Sequence, residues 1–97
     1  GGGLTENLPR VLPEGLGAEI DLNAWELPAV FRWLAATGGM AQAEMLKTFN
    51  CGIGMIVVCD AGRAEALATL LAQAGETVAR LGTITAGQGV GYTGSLL

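Results

Sequence analysis

Histidine is missing from all 97 residues. Its absence removes the side chain that most often moves protons or binds metal near neutral pH, so chemistry must fall to backbone amides, carboxylates, Arg, Lys, Asn or a thiol. Positive charge is scarce as well. Five Lys and Arg stand against nine Asp and Glu, for a formal charge of −4 and a pI near 4.5. Five scattered cations make no stripe for phosphates and no polybasic patch, so no nucleic acid and no membrane is expected as a partner. Long apolar runs are lacking: the longest, Met55 to Cys59, has five residues, against about 20 for a membrane span. The first residues do not pair a charged segment with an apolar one, the pattern of a targeting label. At 97 residues, with 51% apolar side chains, one domain is the most the chain can build.

Only two cysteines occur, Cys51 and Cys59. A strand expected between them would hold them beyond the roughly 7 Å between Cα atoms that a disulfide tolerates, which predicts two free thiols and fits a reducing compartment, a small extracellular domain with free cysteines being the other reading. Neither has a histidine to activate it, so a nucleophilic thiol is not expected.

Residues 1–13 show no sustained periodicity and read as a structured loop with one helical turn. Ala18 to Leu22 alternates apolar and acidic residues, the pattern of a half-buried first strand. Pro28 suits a helix start, and Leu27, Val30, Phe31 and Leu34 share one face, predicting a helix over 28–37 that Gly38-Gly39 stops. A shorter helix is predicted over 41–48, anchored by Met45 and Leu46. Met55-Ile56-Val57-Val58-Cys59 is a continuous β-branched run, read as a central strand covered on both faces. Asp60 suits an N-cap, Ala64, Leu67, Ala68 and Leu71 form a stripe expected to be core, and Gly75 closes that helix. Strands over 77–85 and 90–96, joined through Ala86-Gly87-Gln88-Gly89, complete the order β-α-α-β-α-β-β. The expected class is α+β, a mixed sheet with helices packed on it, containing a right-handed parallel crossover over 55–85 and a terminal antiparallel hairpin. Three glycines at the start cost entropy without local gain, which suggests a piece of a larger protein.

Two segments carry candidate chemistry. In Gly1-Gly2-Gly3-Leu4-Thr5-Glu6-Asn7-Leu8-Pro9-Arg10, consecutive glycines let N–H groups converge on an anion, Asn7 offers donor and acceptor, and Arg10 offers a planar fork. The plain alternative is a flexible start with Glu6 and Arg10 paired locally. In Thr48-Phe49-Asn50-Cys51-Gly52-Ile53-Gly54-Met55, glycines two apart permit close backbone approach and Asn50 can hold the turn. That segment is either a second wall facing the first or a simple helix-to-strand connector. Trp25, Phe31 and Trp33 favour core or interface packing over base stacking, and Glu6, Glu14, Glu19, Asp21 and Glu26 lack ligand spacing and are expected in solvent.

Taken together with Trp25-Glu26-Leu27-Pro28-Ala29-Val30-Phe31-Arg32-Trp33-Leu34, these two segments resemble the C-terminal domain of phosphoribosylformylglycinamidine cyclo-ligases, also called aminoimidazole ribonucleotide synthetases. The resemblance runs in order along nearly the whole chain and weakens after Gly87. It implies that residues 1–97 are the later part of that C-terminal domain, with the N-terminal ATP-binding domain absent. The implied enzyme is a cytoplasmic homodimer of purine biosynthesis. It closes formylglycinamidine ribonucleotide to aminoimidazole ribonucleotide with hydrolysis of ATP, phosphorylation turning the amide-type oxygen into a leaving group for attack by the amidine nitrogen. ATP and Mg²⁺ would be held mainly by the absent domain, and no cofactor, catalytic residue or metal ligand is expected in this chain. Gly1, Gly2, Gly3, Asn7 and Arg10 would line the phosphate side of the substrate cleft, and Asn50, Gly52 and Gly54 its floor. By itself the chain is expected not to turn over. Two other readings stand beside this: a self-standing α+β module that binds a small phosphate ester, and another ATP-using relative of the same fold.

Overall fold

A computed structural model describes residues 3–96. Its elements in chain order are α1 (Gly3–Asn7), a 3₁₀ turn (Leu8–Val11), β1 (Leu16–Asp21), α2 (Ala29–Gly38), α3 (Gln42–Thr48), a 3₁₀ turn (Ala61–Arg63), α4 (Ala64–Gln73), β2 (Gly82–Ala86) and β3 (Gly89–Thr93). The fold is α+β, four helices with a mixed three-stranded sheet, as the periodicities imply. Helix boundaries follow local chemistry closely. Gly75, at φ +96, ends α4 with its N–H on the Ala72 carbonyl and that of Glu76 on Leu71, the paired bonds of a Schellman cap. Asp60 stands at the N-cap position before the second 3₁₀ turn, though its side chain makes no capping bond.

Strand pairing departs from expectation. β1 is the central strand, antiparallel to β2 from Leu16↔Ala86 to Ile20↔Gly82 and parallel to β3 from Gly17↔Gly89 to Asp21↔Thr93. The chain therefore passes beneath the start of β1 between β2 and β3, with the Gly87 N–H on the Gly15 carbonyl at 2.8 Å, instead of folding back as a hairpin. Both edges of β1 are satisfied in this way.

The run 55–59 forms no strand, and the 55–85 parallel crossover is not built. β1's two sides are already taken, and an apolar run becomes a strand only where another backbone accepts its N–H and C=O groups. Met55 is 84% exposed, and Val57 and Val58 are about half exposed. Residues 77–80 likewise stay outside the sheet, and β2 starts at Gly82, just after the Leu81 carbonyl accepts the Asp21 N–H at 2.7 Å. The α4 stripe Ala64, Leu67, Ala68 and Leu71 is indeed the least exposed side of that helix, yet none of the four is fully buried. It is a half-covered face, not core.

The core lies between the sheet and α1, α2 and α3. Ala18 and Ile20 on β1, with Leu22 beyond it, alternate inward and meet Leu4, Leu8, Leu27, Ala35, Met45, Leu46 and Cys51. The first segment, expected as a loop with one helical turn, supplies two of these anchors, Leu4 from α1 and Leu8 from the 3₁₀ turn after it. The Thr5 and Tyr92 hydroxyls, 2.8 Å apart, tie α1 to β3. Burial raises the Tyr92 pKa, partly offset by that bond. Trp25 and Phe31 pack partly buried against the core, whereas Trp33 is 62% exposed and is not a core residue. Among the described residues no helix is long and apolar enough to cross a membrane.

Candidate functional site

The two glycine-bearing segments, separated by residues 11–47 of the sequence, meet around one cavity of about 570 Å³, within the range of small-molecule sites. One wall is α1 and the turn after it, with Gly3, Asn7 and Leu8; the other is the loop leaving α3, with Asn50, Ile53 and Gly54. Phe31 and Phe49 also line it, their rings 5.9 Å apart and tilted by 55°.

Gly3 explains how the walls come so near. At φ +55 it sits where an added Cβ would fall on the Leu46 carbonyl oxygen and 2.6 Å from that of Phe49, so α1 rests directly on the end of α3. These neighbours are acceptors. Asn7 donates from Nδ2 to the Gly3 carbonyl at 2.9 Å, one turn back along α1.

The opposite wall is fixed by a turn. Asn50 accepts the Gly52 N–H on Oδ1 at 3.0 Å, and its carbonyl accepts the Ile53 N–H at 3.0 Å. This is the backbone-mimicking turn expected of Asn before Gly. Between them Cys51 has φ +53, the left-handed region that no other non-glycine described residue occupies. Its thiol is buried and reaches the Met45 carbonyl at 3.6 Å, and burial raises its pKa. A protonated, enclosed thiol is no nucleophile. Cys59 is free and exposed, and Cys51 is free too, although no strand separates them.

Of the residues singled out in the sequence, Gly3, Asn7, Asn50 and Gly54 line the cavity. Gly52 and Arg10 do not: Gly52 packs under Pro28, and Arg10 is exposed on the turn after α1. Gly1 and Gly2 lie outside the described residues. Glu6, Glu14, Glu19, Asp21 and Glu26 are all exposed. Sequence reasoning missed the apolar lining from Phe31 and Ile56, which read only as helix face and strand, and gave Ile53 no role of its own within the second segment. It also missed the left-handed Cys51, for which a cysteine gives no signal.

The family model for the C-terminal domain of AIR synthase related proteins matches residues 1–94. The chain belongs to that family. The cavity of this AIR synthase–related domain contributes Asn and Thr side chains and backbone groups, with no Asp, Glu, Lys or Arg in its lining. Such a donor set does not fit Mg²⁺, which takes carboxylate and water oxygens, nor a triphosphate in need of cations. It suits an uncharged polar part of a ligand, recognised by amide hydrogen bonds and apolar contact.

Proposed function

We propose that this domain supplies one wall of the substrate cleft of a phosphoribosylformylglycinamidine cyclo-ligase, the enzyme that closes formylglycinamidine ribonucleotide to aminoimidazole ribonucleotide with hydrolysis of ATP. The observation that carries the reading is the meeting of the two family-like segments at one cavity, in a chain matched over residues 1–94 by the AIR synthase–related family. Ring closure needs the amidine nitrogen held against the carbon it attacks and water kept away. Asn7, Asn50 and backbone groups can orient an amide- and amidine-bearing chain, and Phe31, Phe49 and Ile53 can exclude water. ATP and Mg²⁺ belong to a separate ATP-binding domain on this reading, and the assembled enzyme is a cytoplasmic homodimer of purine biosynthesis. Arg10 and the first glycines would serve the phosphate end of the cleft.

Calorimetric titration of formylglycinamidine ribonucleotide into this chain and into a chain extended by an ATP-binding domain tests the proposal, with ring closure expected only in the extended form. Gly54→Val is the decisive variant, because Gly54 lines the cavity and nothing lies within 4 Å of its Cβ position, so a larger side chain fits at the wall without a clash. Its nucleotide affinity should fall at least about tenfold, roughly the loss of one or two polar contacts, with stability unchanged. Undiminished affinity in Gly54→Val, or binding of a simple phosphate ester in place of the nucleotide, would refute the reading.

A further inference from the structure

Cys51, at φ +53, adopts a conformation that strains an L-residue and persists only where its surroundings hold it. Three contacts hold it. The Trp25 indole N–H donates to the Cys51 carbonyl at 3.0 Å, across 26 residues of sequence. The Cys51 thiol is enclosed against the end of α3. Gly52, at φ +95, fits beneath Pro28 so closely that a Cβ would lie 2.7 Å from the proline ring. Trp25 and Pro28 both lie just before α2, so one short segment grips the whole turn. The turn carries Asn50 on one side and Ile53 and Gly54 on the other, all in the cavity wall.

We infer that Trp25 is a positioning residue for the cavity: its indole N–H latches Cys51 in the left-handed conformation and thereby sets Asn50 and Gly54 against α1 before any ligand arrives. Strain at a ligand-facing turn, held from outside the cavity, is the arrangement that pre-organises a binding wall. The inference rests on the cavity being the ligand site proposed above.

Amide hydrogen exchange in the 97-residue chain separates the two claims. Trp25→Phe keeps the ring and deletes the donor, and should speed exchange at Gly52 and Ile53 about fivefold relative to core amides, the ratio one ordinary hydrogen bond is worth. Cys51→Gly in the Trp25→Phe background should restore exchange to within about twofold, because glycine takes positive φ without strain. Loss of ring packing alone would not be rescued in this way. Unchanged exchange in Trp25→Phe, or no rescue by Cys51→Gly, overturns the latch. If Trp25→Phe does not fold, the unsubstituted chain decides: the Trp25 indole N–H must be as protected as the Gly52 amide, and exchange as fast as that of the exposed Trp33 indole overturns the latch. Formylglycinamidine ribonucleotide should bind Trp25→Phe about fivefold more weakly than the unsubstituted chain. Because exchange is read without ligand, absence of nucleotide binding would count against the cyclo-ligase reading alone.

Discussion

Replacing Gly3 with alanine tests whether close approach of α1 to α3 builds the cavity. The new Cβ would clash with the Leu46 carbonyl oxygen and lie 2.6 Å from the Phe49 carbonyl oxygen. Both are backbone atoms, so neither can swing aside as a flexible side chain would. Two costs add. An L-residue held at φ +55 loses about 1–2 kcal/mol, and forcing extra volume into a packed contact loses about 1–3 kcal/mol more. The sum, about 2–5 kcal/mol, is a large part of the 5–15 kcal/mol that holds a typical domain together. With a urea slope of about 1–2 kcal/mol per molar for a domain this small, the denaturation midpoint should fall by at least about 1 M. Tryptophan fluorescence in urea reads it. Gly54→Ala is the control: it lines the same cavity, but nothing lies within 4 Å of its Cβ position. Its midpoint should move by no more than the ~0.5 kcal/mol of an ordinary surface change. A Gly3→Ala midpoint as unshifted as the control's would refute the close-packing argument.

Other expectations follow from burial. Met45, fully enclosed at 0% exposure, should cost about 2–5 kcal/mol when cut to alanine, visible in the same urea titration. Maleimide should label Cys59 at once and Cys51 only on unfolding, as one is exposed and the other buried; equal rates would contradict the fold around α3. Because burial raises the Cys51 pKa from 9.0, the folded state holds the thiol proton more tightly than the unfolded chain. Stability is therefore intact below pH 9 and declines as pH climbs from 9 toward the raised value, a trend that Cys51→Ala should flatten in pH-dependent urea melts.

Elements set by neighbours along the chain were legible in advance. The proline before α2, the Gly38-Gly39 stop, the paired anchors of α3 and the glycine closing α4 all act within a turn or two, so local sequence specifies them. The alternating strand β1 was legible for the same reason. At the candidate site, the glycine spacing and Asn50 marked both walls, and four of the singled-out residues do meet at the cavity. Gly52 suits positive φ or close approach, and the structure uses both: it sits at φ +95 and packs under Pro28 with no room for a Cβ.

What tertiary structure alone decided is pairing and cover. The run 55–59 has the composition of a buried strand, yet composition cannot supply a partner, and β2 and β3 occupy both sides of β1. The α4 stripe has the right period but only partial cover, because a period names a face and not what lies against it. The left-handed Cys51 follows from contacts across 26 residues, beyond the reach of any local rule. Sequence by itself determined the family, the helix ends and the two segments that carry the site. Their meeting at one cavity depends on the fit of Gly3 against the end of α3, a contact between backbones that the identities of the intervening residues do not encode locally.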